Sequence, residues 1–275
     1  MTKQLQNNLP AWENLLASIS RLQSIVPSAV LVGGSASAIH AGHRLSYDHD
    51  HTVPDLKGQF QTVLQTLEME AGWNTNRINR PVLILGNLDG VETGVRNLIR
   101  SAPLETEEKI VSGIKIVLPT EAECLRIKVY LALTRNATRD YLDVAALADK
   151  MGPVATAMAL IPMDTLYPQN NGQEQGSDWI VRTQIVKQFR EAKPYDLDDV
   201  DLKEYKGVKS PYDSWKYVEK VCSGLAMSLL SDFTQALKIS TVPSEVAVGE
   251  DLTQWNEAFE RGVKPDIKKL PGLAR

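Results

Sequence analysis

Cysteine is scarce in this chain of 275 residues, which contains only Cys124 and Cys222. Both lie in stretches with apolar residues at helical spacing, so we expect two buried free thiols in a reducing compartment, with a disulfide as the alternative. Long apolar runs are lacking, because none approaches the roughly 20 residues that span a bilayer. Residues 1–8 lack the charged and then apolar segments of a signal peptide. We therefore expect a cytoplasmic protein without a membrane partner.

An excess of positive charge is also absent. The formal net charge is -4 at pH 7, with 23% charged and 43% hydrophobic residues. This balance excludes a uniformly basic nucleic-acid coat, although it is compatible with a local basic patch. The composition is that of an ordinary globular protein, and the length lies between one large domain and two smaller ones.

The first half of the chain mixes strand and helix patterns. Apolar spacing predicts a helix over 10–24, and short apolar runs predict strands over 29–32 and 114–118. Asp55 has the position of a helix N-cap, and two extended runs around 87–90 predict a hairpin. Thr120 and Glu123 form a capping-box pattern that predicts the start of a helix, and Thr138 is the expected cap of the next one.

The second half has helical patterns after a polar stretch at 168–176 that is typical of a loop or linker. The sequence therefore predicts an α+β protein whose mixed sheet, flanked by helices, occupies residues 1–152, followed by a mostly helical region over 153–275. We expect the chemistry in the first of these regions, because the motifs lie there.

Gly33 and Gly34 separate a predicted buried strand from a predicted helix. Glycine lets the backbone approach a ligand closely, and the amides of a helix N-terminus favour phosphate. The hydroxyl of Ser35 adds a donor. Arg44 is expected either in a structural ion pair or on a substrate phosphate. The segment is a candidate phosphate cradle.

Asp48 and Asp50 lie on a predicted strand at 46–53. Because side chains alternate along a strand, both carboxylates are expected on one face with Cα atoms roughly 6.5–7 Å apart, while His49 and His51 face the other way. Such a pair can hold a divalent cation, and oxygen ligands favour Mg²⁺ or Mn²⁺. A third carboxylate is normally needed as well. Glu92 is the candidate, with Asp89 as the alternative.

A second cluster lies on the two helices that follow. Lys128 and Arg135 are seven residues apart, so they share a helix face about 10 Å apart. A lysine on an otherwise apolar helix is suited to bind a triphosphate. Asp140 and Asp143 also share a face. Arg135, Arg139 and the two aspartates are candidates for the site or for a salt-bridge network between the helices. The alternative for Lys128 is a helix lysine without a function, whose stem packs on apolar surface.

The ordered set Gly-Gly-Ser at 33–35, Arg-x-Ser-x-Asp-x-Asp at 44–50, Lys128, Arg135 and Arg-Asp-x-x-Asp at 139–143 resembles the nucleotidyltransferases of the AbiEii/AbiGii toxin group. These belong to the DNA polymerase β-like superfamily. The resemblance covers residues 30–147 and implies a nucleotidyltransferase-type sheet. The spacer of 12 residues between Ser35 and Asp48 is slightly longer than is usual for the superfamily.

This resemblance implies a role for each matching residue. Gly34 and Ser35 would bind the phosphates of a nucleoside triphosphate (NTP), and Asp48 and Asp50 would bind metal. Lys128 would contact the triphosphate, and Asp140 or Asp143 would be the later essential aspartate. The implied reaction is transfer of a nucleotide to an acceptor hydroxyl, on tRNA or another RNA in some members, and several members are toxins paired with an antitoxin.

Two other functions are compatible with the same residues. One is a metal-dependent phosphohydrolase that uses the Asp and His residues at 48–51, which requires the histidines to reach the metal. The other is a catalytically inactive nucleotide-binding module, which the absence of a third carboxylate would favour.

Overall fold

A mixed sheet of five strands forms the centre of the first half, in the order β1-β2-β5-β4-β3. The computed structural model describes residues 3–168 and 180–239, with side chains over 11–168 and 180–230. The strands β2 and β5 are parallel, and the other neighbours in the sheet are antiparallel. The strands are β1 (Val30–Val32), β2 (His49–Val53), β3 (Trp73–Asn79), β4 (Leu83–Leu88) and β5 (Val91–Asn97).

A separate antiparallel pair and a set of helices complete the described part. The pair consists of β6 (Thr106–Val111) and β7 (Ile114–Pro119). The helices are α1 (Lys3–Ile25), α2 (Gly33–Ala41), α3 (Leu56–Glu68), α4 (Glu121–Arg135), α5 (Thr138–Met151), α6 (Pro153–Leu160), α7 (Met163–Leu166), α8 (Val181–Arg190) and α9 (Trp215–Ile239). Short 3-10 turns lie at Leu197–Asp199 and Tyr205–Gly207.

This architecture confirms the predicted α+β class, with the sheet before residue 152. Beyond that residue, every regular element in the described part is helical. The larger hydrophobic core contains residues from α1 and α9, so it includes side chains from both halves of the chain. A smaller core packs α3 against the sheet. The boundary at 152 stays a prediction, and the polar stretch at 168–176 lies, after Pro168, outside the described residues.

Several local predictions can be compared with the structure. The Asp55 side chain accepts a hydrogen bond from the Gly58 amide at 3.0 Å, as an N-cap does. The predicted hairpin is present, with β4 and β5 joined at Asp89 and Gly90. Cys124 and Cys222 are free and buried. No single helix in 3–168 and 180–239 is long and apolar enough to cross a membrane, although α5 and the 153–166 segment, bent by 119°, pass that test jointly.

The expected cap at Thr138 is wrong. The N-cap of α5 is Ala137, and the first turn is held by Asp196, which accepts hydrogen bonds at 2.7 Å from both the amide and the hydroxyl of Thr138. A carboxylate at a helix N-terminus compensates the helix dipole. Residues 58 apart in sequence form this contact, so local patterns did not reveal it.

The helix α4 carries the later motifs, and it begins where the capping pattern predicts. The Thr120 hydroxyl accepts a hydrogen bond from the Glu123 amide at 3.2 Å. The reciprocal half of the capping box is missing, because the buried Glu123 carboxylate pairs instead with Arg100 and Arg126, at 2.8 and 2.9 Å. The start of α4 is thus determined by one local cap and one buried ion-pair cluster.

We expect Thr120→Ala to lower the free energy of unfolding by about 1 kcal/mol, because an N-cap acceptor is lost. Thr134→Ala on the same helix is the control, since the exposed Thr134 hydroxyl bonds only to carbonyls of its own helix. That change should leave stability equal or slightly higher, because alanine favours helix. Urea denaturation of both variants measures the difference, and equal losses would contradict a capping role.

Candidate active site

Residues 48–52 run along one side of a cavity, and their side chains alternate as predicted. Asp48, Asp50 and Thr52 line the cavity. His49 and His51 point into the protein, where His49 lies 2.9 Å from both the Ser18 and the Thr93 hydroxyl. Burial lowers the pKa of His49 to about 4, so this ring is neutral at pH 7. Neither histidine lines the cavity.

The cavity has a volume of about 150 Å³ and lies between the sheet and the helices α4 and α5. Its wall is rich in positive charge despite the acidic net charge of the chain. Three carboxylates line it, those of Asp48, Asp50 and Asp140, against seven cationic side chains: Arg44, Arg96, Arg100, Lys128, Arg135, Arg139 and Lys206. The acidic net charge left room for a local basic patch, and the cavity wall is such a patch. Its positive potential suits a polyanionic ligand.

The glycine turn lies directly beside Asp50. Gly33 has a φ of 74°, in the left-handed region, and a Cβ built on it would lie 3.6 Å from the Cβ of Asp50. A Cβ on Gly34 would lie 2.6 Å from the guanidinium of Arg44. Both glycines line the cavity, at the N-terminus of α2. The positive φ favours glycine at position 33, whereas a Cβ at position 34 would require the Arg44 guanidinium to shift.

Ser35 has a different position from the one expected. It is 1% exposed, does not line the cavity, and donates its hydroxyl to the Asp48 carbonyl at 2.5 Å. Its side chain therefore fixes the segment that carries Asp48 instead of pointing toward a phosphate. The Asp48 carbonyl occupies the hydroxyl in this structure, and phosphate binding by Ser35 stays a prediction.

A buried carboxylate, that of Asp143, joins the two groups of motifs. It accepts hydrogen bonds from Arg44 at 2.7 and 3.0 Å and from His43 at 2.8 Å, and Lys128 Nζ lies 2.7 Å from Oδ2. Burial alone would raise its pKa, but Arg44 and Lys128 hold the pKa well below its usual range. Arg44 is thus in a structural ion pair, and Asp143 has a structural role.

Asp140 lies one helical turn before Asp143 and differs from it. Its side chain is buried and lines the cavity, Oδ1 lies 3.4 Å from Lys128 Nζ, and Oδ2 has no hydrogen-bond partner in the described part of the chain. A buried carboxylate oxygen without a partner is costly. Of the two aspartates in the later motif, Asp140 lines the cavity and Asp143 does not.

Lys128 is also buried at the cavity wall. Burial disfavours its charged form, but Asp143 and Asp140 raise its pKa above the usual value. Arg135 and Arg139 line the cavity and are exposed. Within the described ranges neither lies within ion-pair distance of a carboxylate, so a salt-bridge network of these two arginines with Asp140 and Asp143 is not formed. Lys128 pairs with the two aspartates instead.

Glu92 and Asp89 are not part of this site. Glu92 is exposed, pairs across the hairpin with Asn87 and does not line the cavity. Asp89 lies in the hairpin turn and bonds to Arg21. The position of β5 that faces Asp50 is Gly94, whose built Cβ would lie 3.0 Å from Asp50 Oδ1. A side chain at position 94 therefore has no room beside Asp50.

Sequence reasoning missed Arg96, which lies on the same face of β5 as Gly94. Its Nε and Nη2 lie 3.3 Å from Asp50 Oδ1. It also missed Lys206, whose Nζ lies 3.6 Å from Asp48 Oδ1. Burial alone would raise the pKa of Asp48. The positive charge of Lys206, a hydrogen bond from Ser46 and the charge of Arg44 outweigh burial, so the pKa lies below its usual value. The parallel pairing of β2 with β5, which brings Arg96 to Asp50, has no local signal.

The geometry can be set beside known proteins. No family model matches the chain. A stretch of 138 residues is 34% identical to the heme uptake protein MmpL11 of Mycobacterium tuberculosis and covers 48% of this chain. A stretch of 134 residues is 32% identical to the mycolic acid-containing lipids exporter MmpL11 of Mycolicibacterium smegmatis. The chain spans only 13% of the length of these relatives, so their activities concern much longer proteins.

Among solved structures, similar chains are nucleotidyltransferases. The crystal structure of ANT(2")-Ia in complex with adenylyl-2"-tobramycin is 14% identical, covers 56% of this chain and 97% of its own, and has a TM-score of 0.44. The nucleotidyltransferase toxin MenT4 of Mycobacterium tuberculosis is 14% identical over 78% of this chain and 82% of its own, with a TM-score of 0.42. A putative nucleotidyltransferase from H. pylori is 16% identical over 87% and 99%, with a TM-score of 0.41.

The two aspartates of the later motif should respond differently to the same substitution. We expect Asp143→Asn to lower the free energy of unfolding by about 3–5 kcal/mol, because Arg44 and Lys128 lose their buried counter-ion. Asp140→Asn should cost about 1 kcal/mol or less, since its contacts are few.

Thermal and urea denaturation of both variants measure the contrast. Similar losses in the two variants would show that the buried network does not depend on Asp143 in the way that the distances indicate.

Proposed function

We propose that the protein is a nucleotidyltransferase that transfers a nucleoside monophosphate from an NTP to an acceptor hydroxyl. The observation that carries the proposal is the convergence of a glycine turn and the side chains of Asp48, Asp50 and Asp140 on one cationic cavity. Phosphoryl-type transfer depends mainly on positioning and on charge neutralisation, and these residues supply both.

The residues fit a divalent cation held jointly by protein and substrate. In the described part there is no cluster of three or more His, Cys, Asp or Glu side chains that would enclose a metal. Mg²⁺ is usually bound by one or two carboxylates together with substrate phosphates. Asp48 and Asp50 are the pair that would hold Mg²⁺ or Mn²⁺, which when bound neutralises phosphate charge and activates a hydroxyl. Glu92 is not included among the ligands.

Other residues of the chain have roles toward the triphosphate. The amides at Gly33 and Gly34 lie at a helix N-terminus and favour phosphate oxygens. Arg135 and Arg139 are exposed in the cavity and free of carboxylates within the described ranges, so they stabilise the charge of the departing pyrophosphate. Lys128 contributes to this potential from a fixed position. Asp140 lines the cavity and is the candidate to accept a hydrogen bond from the attacking hydroxyl.

The finer aspects of the proposal rest on the motif resemblance. We propose an RNA acceptor, tRNA among them, cytoplasmic action, and a toxin role with a cognate antitoxin. MenT4 is by its name a nucleotidyltransferase toxin. In this proposal the region over 1–152 is catalytic, and the helical region over 153–275 contributes Lys206 to the cavity wall.

A second candidate is a nucleotide-binding module without turnover. It is favoured by Arg96, which lies against Asp50 where a third carboxylate would otherwise be expected. The phosphohydrolase alternative has less support, because His49 and His51 lie on the face of β2 opposite the cavity.

Purified protein with Mn²⁺ and labelled NTPs should label a cellular acceptor fraction, and Asp50→Asn should reduce labelling by at least about a hundredfold, since a metal-binding charge is lost. Glu92→Gln is the matched control, because this carboxylate lies on the same sheet but outside the cavity. It should label at the wild-type rate.

The outcomes separate the candidates. Full labelling by Asp50→Asn would refute the assignment of the metal pair. Tight NTP binding by the wild-type chain without any labelling would favour the inactive module.

A further inference from the structure

We propose that Lys206 is a phosphate-binding residue which holds Asp48 while the nucleotide is absent and moves to the triphosphate when a cation binds. This inference rests on the proposed nucleotidyltransferase function and extends it to a residue outside the recognised motifs. Lys206 lies in the 3-10 turn at Tyr205–Gly207, more than 50 residues beyond α5. Its side chain lines the cavity, and Nζ lies 3.6 Å from Asp48 Oδ1.

The backbone of this turn is tied to the loop that precedes Asp48. The Leu45 amide donates to the Lys206 carbonyl at 2.9 Å, and the Lys209 amide donates to the His43 carbonyl at 2.8 Å. Lys209 Nζ donates in addition to the Gly42 carbonyl at 2.6 Å. These bonds fix the position of residue 206 relative to Asp48, so the lysine is built into the cavity wall.

The backbone of Lys206 has an uncommon conformation. Its φ is 43° and its ψ is 37°, in the left-handed region, which disfavours residues with a Cβ. Glycine or asparagine would adopt this backbone more readily. Strained residues that persist are found mainly at functional sites. The adjacent Gly207 also has a positive φ, of 62°, so the turn as a whole has an uncommon shape.

The ion pair with Asp48 is suited to exchange. The side chains of Lys206 and Asp48 are 35% and 51% exposed, and pairs exposed to this degree are weak. A divalent cation at Asp48 competes directly with the ammonium for the same carboxylate oxygen. Once displaced, the ammonium remains in a cavity that would then contain a triphosphate, where it forms charge-assisted hydrogen bonds.

This arrangement predicts that one substitution changes the affinities for two ligands in opposite directions. Lys206→Gln should tighten nucleotide-free Mn²⁺ binding by about threefold, because a weak competing ion pair is removed. It should weaken binding of inorganic tripolyphosphate by about tenfold, because a charged hydrogen-bond donor is lost. Electron paramagnetic resonance of free Mn²⁺ measures the first quantity, and calorimetry with tripolyphosphate measures the second.

Two further variants serve as controls. Lys206→Arg retains a cationic hydrogen-bond donor and should bind both probes within about twofold of the wild-type chain. Lys203→Gln removes an exposed lysine three positions away that does not line the cavity. It should leave both affinities unchanged. Melting temperatures of all variants verify that they are folded.

The outcomes separate this inference from the function on which it rests. If the wild-type chain binds both probes and Lys206→Gln leaves both affinities unchanged, or shifts both in the same direction, the inference is overturned and the proposed function stands. If the wild-type chain binds neither probe and labels no acceptor, the proposed function itself is overturned.

Discussion

The buried carboxylate of Asp143 is the interaction on which the site depends. It binds Arg44 from the segment before β2, Lys128 from α4 and His43, and thereby connects three parts of the chain at distances of 2.7 to 3.0 Å. Desolvating these charges is costly, and attraction at close range offsets the cost only if every partner is in place. The positions of α4, α5 and the segment before Asp48 therefore depend on one another through this network.

The charged side chains of the cavity differ in whether they are already paired within the protein. Arg44 forms an ion pair with Asp143, and its guanidinium lies 2.6 Å from the position of a Cβ built on Gly34. Arg135 and Arg139 have no carboxylate within ion-pair distance in the described ranges, and Asp140 retains a buried oxygen without a partner there. Charges without internal partners are those that a ligand can use. The pairs of Arg96 with Asp50 and Lys206 with Asp48 lie between these extremes, because both are partly exposed.

Features with a local physical cause were predictable from the sequence. Alternation along a strand placed Asp48 and Asp50 on one face and the histidines on the other, because the repeat of a strand is two residues. The α+β class, the hairpin at Asp89 and Gly90 and the start of α4 followed from spacing and turn chemistry. Strands β3 and β6 were not predicted, because most of their side chains are polar and exposed and show no apolar alternation.

Features that depend on contacts between distant segments were decided by the tertiary structure alone. Glu92 was a reasonable candidate on its hairpin, yet the parallel register of β2 and β5 places Gly94 and Arg96 beside Asp50. Ser35 turned inward because the Asp48 carbonyl lies over its hydroxyl. Lys206 reaches the cavity through bonds between segments more than 150 residues apart. A sequence specifies the chemistry of each side chain and its local direction, whereas the partner that occupies the facing position is determined only when the chain folds.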